Sequence, residues 1–238
     1  MTDAAYPTTP RNRVRRYPDR ARYDEASVHA VLDAGLLAHV GYVIDGQPFV
    51  TPTAYWREGR RLYWHGSAAS RMIRAQASGL PVCVTVSHLD GLIAARSAFV
   101  HSIQYRSVMA YGRARLVEGL DARRAALGAF LDRLYPGRTE EVRPPTDSEL
   151  KQTSVIEMEI EEAVAKAKTG GVARIEADAA WDAWSGVIPI STVVGERIAD
   201  AVQSAGAPVS PSLGLYLAGA RLDAVLSAAA QSGLPVSA

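Results

Sequence analysis

The stretch LLAHVGYVIDGQPFVTPTAYW, residues 36–56, decides the fold. Two runs rich in β-branched and aromatic residues flank Asp45-Gly46, a dipeptide typical of the two-residue turn of a β-hairpin. Pro52 lies inside the second run and has no N–H to donate, so this strand is expected to lie at a sheet edge or to carry a bulge. The stretch therefore predicts a hairpin whose second strand is not fully paired.

The hairpin is the first of several short β-rich runs. The others are RLYWHG (61–66), LPVCVTVSH (80–88), LIAARSAFV (92–100), SVMAYGRARLV (107–117) and TSVIEMEIE (153–161). Two helices accompany them. Asp24 is a suitable N-cap for a helix with Val28, Val31 and Leu32 on one face and an end at Gly35, and DARRAALGAFLDRLYP (121–136) is amphipathic. Strands and helices do not alternate as βαβ units, so the sequence predicts an α+β fold with a mainly antiparallel β-barrel.

The composition excludes several classes of function. The chain has 238 residues with a formal charge of +1, which gives no indication of a nucleic-acid or membrane partner. Cys83 is the only cysteine and the five histidines lack zinc-site spacing, so no disulfide and no metal site are expected. The beginning MTDAAYPTTP lacks the features of a signal peptide, and no apolar run could span a membrane, so a cytoplasmic protein is expected.

Changes in composition divide the chain into three parts. Residues 1–22 are polar and rich in arginine and proline, which predicts an arm that either docks or is disordered and makes nucleic-acid binding the weaker alternative. Residues 23–170 contain the β-rich runs and form the predicted barrel domain. Residues 171–238 are rich in alanine, glycine and proline, and are expected to form an extension that packs on the barrel or on a partner.

The stretch YWHGSAASRM, residues 63–72, joins a strand to a helix. Ser67 or Ser70 can cap a helix that begins near Ser70, and its free amides favour an anion. Arg71 and Arg74 are three residues apart, so both can lean over the first turn, and a guanidinium suits phosphate. The alternative is an ordinary capped helix without a ligand.

The stretch SIQYRSVMAYGRARL, residues 102–116, reads as a strand. Ser102, Gln104 and Arg106 share one face, which indicates either a solvated face or contact with a ligand. The neighbouring Tyr105 and Val108 do not fit one simple alternation with them, so a bulge or bend is expected.

These blocks, in their order and spacing, resemble the flavin-binding split barrels related to pyridoxamine 5'-phosphate oxidase, and within them the nitroimidazole-resistance (Nim) branch. The match rests on GQPFVTPTAYW, LYWHGSAASRM, the LPVCVTV run with its following Asp-Gly, SIQYRSVMAYGRARLVEG and LKQTSVIEMEI. It covers roughly residues 13–170. The resemblance implies a split barrel that forms a homodimer, with flavin mononucleotide (FMN) bound at the subunit interface.

The resemblance also implies a set of site residues. Ser70 and Arg71 correspond to the phosphate-binding pair, and Met72 stands where the oxidases have a lysine, so Arg74 or Ser67 is expected to substitute. The strand along the flavin ring corresponds to Thr51, Pro52, Thr53, Ala54 and Tyr55, partly through backbone groups. The QYRS block, Gln104, Tyr105, Arg106 and Ser107, is expected to reach the cofactor of the same or the opposite subunit. His65 is either the catalytic acid/base or a group that only hydrogen-bonds the cofactor or interface.

The function implied is an FMN-dependent oxidoreductase that transfers electrons between reduced flavin and a small organic acceptor, such as a nitro-aromatic compound. Reduction by a transiently bound nicotinamide donor is expected, because no dinucleotide motif is present. The alternative is a non-catalytic protein of the same fold that binds a flavin or haem, with His65 or His101 as axial ligand. FAD, the deazaflavin F420 and haem are the alternatives to FMN as cofactor.

Overall fold

A computed structural model describes residues 4–201 and 208–232. Residues 1–3 of the predicted arm and residues 202–207 and 233–238 of the predicted extension lie outside the described residues. The elements in chain order are β1 (Ala21–Arg22), α1 (Glu25–Asp33), β2 (Leu37–Ile44), β3 (Gln47–Glu58), β4 (Arg61–Ser67), α2 (Arg71–Gln76), β5 (Ser78–Ala94), β6 (Ser102–Leu116), α3 (Leu120–Leu134), α4 (Asp147–Gln152), β7 (Thr153–Glu159), β8 (Glu162–Lys168), β9 (Gly186–Pro189) and α5 (Leu222–Ser232).

Six antiparallel strands close into a barrel, in the order β6-β7-β4-β3-β2-β5, and β5 pairs with β6 to complete the ring. Outside the ring, β8 and β1 continue the sheet from β6, and β9 pairs with the end of β5. The predicted α+β antiparallel barrel is confirmed.

The hairpin and the first helix form as the sequence predicts. Asp45 and Gly46 have φ of 50° and 78°, and the turn pairs Ile44 with Gln47. The Asp24 carboxylate accepts a hydrogen bond from Ser27 N at 2.8 Å and caps α1. Local turn and cap chemistry therefore set both elements.

Strand β6 changes partner along its length. Its residues 105–111 pair with β8 and its residues 114–116 pair with β7. Gly112 lies at the change, where a Cβ atom would be 2.2 Å from the Glu159 carbonyl oxygen. Only glycine allows the two backbones to approach this closely.

The barrel interior holds the main core. Its side chains come from alternate strand residues, such as Val40 and Val84, and from one face of α1 and of α2. Within it the Trp64 indole donates a hydrogen bond to Gln76 Oε1 at 2.9 Å. A smaller cluster, centred on Trp56 and Tyr63, lies outside the barrel under α3, where the sequence predicts an amphipathic helix.

Two strand expectations are wrong in detail. The runs 80–88 and 92–100 were expected as separate strands, but β5 continues through Asp90-Gly91 to Ala94. The bulge expected in the QYRS stretch lies instead in the facing strand, where β5 carries an extra residue between Leu89 and Gly91. Strand β6 itself has no bulge there, and its side chains alternate regularly from Gln104 to Ala110. One face carries Gln104 and Arg106 beyond the barrel and the buried Val108 and Ala110 within it, so the face changes from polar to apolar without a change of register.

The two ends of the chain lie against the barrel where they are described. Tyr6 is buried, and the Asn12 amide donates hydrogen bonds to the carbonyls of Pro7 and Ala163. In the extension, β9 pairs with β5, and α5 contacts α1 and α3. None of the described helices is both long enough and apolar enough to cross a membrane.

Candidate functional site

The first feature of the site is a free backbone edge on β3. Residues 47–54 pair with β2 on one side, whereas β4 pairs only with residues 55–58 on the other. The second edge of residues 47–54 therefore has no strand partner among the described residues. Pro52 lies on this edge, which confirms the expectation from its missing N–H.

The second feature is the start of α2, which lies over the same part of β3. The Arg71 guanidinium stands over the Phe49 ring at 4.5 Å from its centroid, and Phe49 in turn stacks on Tyr42 at 5.6 Å. Tyr42 is linked back to β3 by a 3.1 Å hydrogen bond between its hydroxyl and that of Thr51. The structure thus brings Arg71 and the Thr51–Thr53 edge together.

The start of α2 leaves the Ser70 hydroxyl and two arginines available to a ligand. Ser70 is the N-cap residue, but its hydroxyl makes no capping hydrogen bond. The Ser67 hydroxyl accepts from Ala69 N at 3.3 Å instead. Arg71 and Arg74 are both exposed, whereas Met72 is buried in the barrel core. A cation at this site must therefore come from Arg71 or Arg74.

Tyr55 differs from its neighbours on β3. Its side chain is buried in the core and its hydroxyl donates to the Leu32 carbonyl, and burial raises its pKa well above the usual value for tyrosine. Only the backbone of Tyr55 can take part in contacts with a bound group. Thr53 is half-buried, and its hydroxyl donates to the Ala54 carbonyl at 3.2 Å.

His65 lies at the point where β4 separates from β3, one residue after the last pair, Tyr55–Trp64. Its ring is on the outer face of the barrel, 6.2 Å from Trp56 and 5.0 Å from Phe130 between ring centroids. Nδ1 is buried without a partner, and neither ring nitrogen bonds to a described residue. Burial lowers the pKa of His65, so the imidazole is neutral at pH 7.

The QYRS block lies mostly in contacts within the chain. The Gln104 amide donates to the carbonyls of Thr169 (2.9 Å) and Gly170 (3.2 Å). The Ser107 hydroxyl donates to the Lys166 carbonyl at 3.3 Å, and Tyr105 is half-buried opposite Leu89. These contacts join the outer end of β6 to the residues at the end of β8.

Arg106 forms the strongest polar contacts of the block. Its guanidinium donates to both carboxylate oxygens of Asp90 and to Asp223 on α5, at 2.7–3.2 Å. Hydrogen bonds from Arg221 and from Arg106 lower the pKa of Asp223 to about 2. Sequence reasoning assigned Arg106 to a cofactor and missed both carboxylates. The Asp90-Gly91 pair was visible in the sequence, but nothing local linked it to Asp223.

A cleft of about 630 Å³, the extension cleft, brings Arg106 near Ala54. Leu37 and Ala54 lie on one wall, and residues 190–192 and 221–223 of the C-terminal extension lie on the other. The predicted residues therefore fall into two groups. Ser70, Arg71 and Thr51 gather near the β2–β3 turn, and Arg106 lines the extension cleft with Ala54.

Sequence reasoning also missed Phe49, which supports Arg71. The sequence could have indicated Phe49, because alternate residues of a strand share a face and Phe49 therefore lies on the same face of β3 as Thr51 and Thr53. An aromatic ring on a strand that has one free edge can accept a guanidinium over its face.

The sequence matches the pyridoxamine 5'-phosphate oxidase family over residues 24–167. Among solved structures, the flavocytochrome Anf3 from Azotobacter vinelandii is 42% identical, with 89% of this chain and 98% of that chain covered and a TM-score of 0.82. The FAD and haem binding protein from Mycobacterium smegmatis is 34% identical, with 85% and 98% covered and a TM-score of 0.80.

A more distant structure shares the fold alone. A candidate 5-nitroimidazole antibiotic resistance protein from Bacteroides thetaiotaomicron is 18% identical, with 62% of this chain and 86% of that chain covered and a TM-score of 0.52. No protein of curated function matches the sequence.

Proposed function

The chain belongs to the pyridoxamine 5'-phosphate oxidase family, and on that premise we propose that it is a flavin-dependent redox protein. In this proposal it passes electrons from a reduced flavin to a small organic acceptor, such as a nitro-aromatic compound. The observation that carries the proposal is the unpaired edge of β3 beside Ser70 and Arg71. The flavin supplies the electron-transfer chemistry, and the protein binds and orients it.

The residues of the site have separate tasks in this proposal. Arg71 and the free hydroxyl of Ser70 bind a flavin phosphate, with Arg74 as the second cation in place of the buried Met72. The free edge of residues 51–54 offers backbone groups to the edge of a flat ring. His65, neutral at pH 7, can accept a proton beside that edge.

We expect the active form to be a homodimer. On the outer faces of β2, β3, β5 and β6, large apolar side chains are exposed, among them Val43, Val50, Leu89 and Met109. Several exposed large apolar side chains on one face of a sheet indicate association. Gln104 and Arg106 lie at the end of β6 away from α2, and Arg106 lines the extension cleft with Ala54, so we propose that they approach the ring end of the flavin from the same or from the second subunit.

Among the flavins, FAD is favoured by the relative from Mycobacterium smegmatis. The Mycobacterium smegmatis relative binds FAD and haem, and the Azotobacter relative is a flavocytochrome. We propose FAD for this chain, with FMN as the smaller alternative that occupies the same phosphate site.

Haem binding is the second candidate function, and His65 is the observation that favours it. A neutral histidine without a partner, packed near the rings of Trp56 and Phe130, is suited to be an axial ligand of haem iron. In this version His65 coordinates a metal centre beside the flavin and does not act as a proton acceptor.

An absorption spectrum of the purified protein, incubated with FAD and with FMN, tests the proposal. We expect flavin bands in the wild type and at least about tenfold weaker flavin binding in Arg71→Ala, because a charge-assisted contact to phosphate is lost. Arg143→Ala, an exposed arginine in the segment between α3 and α4, is the matched control and should bind flavin as the wild type does. Wild-type protein that retains no flavin, or an Arg71→Ala variant that binds it equally well, would contradict the proposal.

The same spectrum tests the haem candidate after incubation with haem. A Soret band that is lost in His65→Ala and kept in His101→Ala is the expected result. A band that survives in both variants would exclude His65 as the ligand.

A further inference from the structure

The N-terminal arm forms one wall of a second cleft, which we call the arm cleft. Its volume is about 750 Å³. The arm contributes residues 16–22 to it, the loop before β6 contributes residues 99–101, and the end of β8 with the following loop contributes residues 167–171. It is formed by residues different from those at the β3 edge.

The arm cleft carries an uncompensated positive charge. Arg16, Arg20, Arg22 and Lys168 line it, against a single carboxylate from Asp19. None of these four cations forms an ion pair within residues 4–201 and 208–232, although arginines elsewhere, such as those at positions 11, 57 and 61, do. Like charges that gather in a concave surface raise the local potential and favour an anion.

Two of these cations lie over the aromatic ring of Tyr17. The guanidinium of Arg20 is 4.0 Å from the ring centroid, and that of Arg16 is 5.3 Å away. A hydrogen bond from Arg16 lowers the pKa of the Tyr17 phenol, and the charges of Arg20 and Lys168 act in the same direction. Tyr17 has a φ of 57°, which a bulky side chain rarely adopts and which is often found at ligand-binding sites.

The opposite wall offers an aromatic surface and backbone groups. Phe99 is 91% exposed, so its ring is free to stack on a planar base. Gly170 and Gly171 leave their backbone uncovered by side chains, and the Gln104 amide fixes the Thr169 and Gly170 carbonyls. One residue of the QYRS block thus supports this wall.

We propose that the arm cleft binds the adenosine diphosphate portion of a dinucleotide. The cations contact the two phosphates, and Phe99 or Tyr17 stacks on the adenine. Two sources share this chemistry, a reduced nicotinamide donor of electrons and the adenylate half of FAD. The inference rests on the proposed function, because it supplies the flavin either with its reductant or with its second anchor. A haem is disfavoured, because four cations line the cleft and both ring nitrogens of His101, its one histidine, already form hydrogen bonds, to Ala95 N and to the Ser97 carbonyl.

The test compares two double variants that lose the same charge from the same arm. Arg16→Gln/Arg20→Gln removes two cations of the cleft, and Arg13→Gln/Arg15→Gln removes two exposed arginines that do not line it. Dissociation constants for NADPH are measured on flavin-loaded protein, and those for FAD and FMN on flavin-free protein. We expect the cleft variant to bind NADPH at least about tenfold more weakly and the control to stay within about twofold.

The outcomes separate the two sources. Weaker NADPH binding at unchanged flavin affinity assigns the cleft to the donor. Weaker FAD binding at unchanged FMN affinity assigns it to the adenylate half of FAD. The proposal is overturned if the cleft variant matches the control for both dinucleotides, or if it loses a Soret band that the control keeps.

A failure of the proposed function is distinguishable from a failure of this inference. If the wild type binds no flavin, adenosine diphosphate is titrated against the flavin-free protein and both double variants. Tenfold weaker binding by the cleft variant alone, about 1.4 kcal/mol, supports the cleft independently. Equal binding of adenosine diphosphate by all three proteins would contradict the assignment of the arm cleft.

Discussion

The two faces of the same barrel strands differ in what covers them. On β2, Val40 faces the interior and is completely buried, whereas Val43 faces outwards and is 51% exposed. Both faces carry apolar residues, but on β2 only the inner face is packed against other elements of the described chain, and α3 covers the outer face at β3 and β4 instead. The inner face therefore accounts for the stability of the subunit, and the outer face is available for association and for a cofactor.

The largest expected effect comes from making the same substitution on each face of β2. Val40→Ala removes two methyl groups from a closed core and should lower the free energy of unfolding by about 2 kcal/mol. Val43→Ala should change it by less than about 0.5 kcal/mol. Denaturant unfolding of the flavin-free protein, at a concentration low enough for the single subunit to predominate, measures both. Equal losses would contradict the assignment of stability to the inner face.

A charge on the outer face is expected to weaken association. Val50→Glu places a carboxylate at a residue that is 67% exposed in the single chain, and it should raise the dimer dissociation constant by at least about tenfold. Leu217→Glu, at 60% exposure in the C-terminal extension, is the matched control. Analytical ultracentrifugation measures the dissociation constants. A monomeric wild type, or equal effects of the two variants, would remove the proposed role of the outer face.

The smallest expected effect is on the pH dependence of stability, through His65, which lies on the part of the outer face that α3 covers. Burial lowers the pKa of His65, so the unfolded chain takes up a proton at a higher pH than the folded chain does. Stability is complete above the unfolded value, about 6.5, and falls as the pH drops below it. His65→Phe, which keeps an aromatic ring in the pocket, should flatten the fall of the melting temperature between about pH 6.5 and 5.

His29 is the control for that measurement. Burial lowers its pKa as well, and its Nε2 is 2.8 Å from the Tyr6 hydroxyl. His29→Gln should remove its own share of the pH dependence, and the double variant should be the flattest of the set. A His65→Phe variant that keeps the full wild-type slope would show that α3 leaves this histidine hydrated.

The sequence predicted those parts of the fold that depend on local chemistry. Asp45-Gly46 predicted the hairpin because both positions need positive φ, and Asp24 predicted the helix start because its carboxylate can reach a free amide. Pro52 predicted the unpaired edge in the same way. Periodicity failed at Asp90-Gly91, which looks like a turn but is carried through β5 as a bulge because β6 pairs with it on both sides of the bulge.

The candidate site was predictable only in part. Ser70, Arg71 and Thr51 came from a resemblance, and the structure brings them together near the β2–β3 turn. The contacts of Arg106 with Asp90 and Asp223 join residues far apart in sequence, and no local pattern encodes them. The arm cleft was missed because arginines in a polar start of the chain are typical of disorder, and only the docking of the arm brings Lys168 to them.

The pairing of β4 with β7 has a consequence for how the chain is made. These strands are separated by about 90 residues of sequence, yet the ring cannot close without their contact. At a synthesis rate of roughly 5–20 residues per second, β2 to β6 wait several seconds on the ribosome with an apolar face uncovered. Barrel closure is thus a late, non-local step, and the nascent chain is at its most aggregation-prone just before β7 emerges.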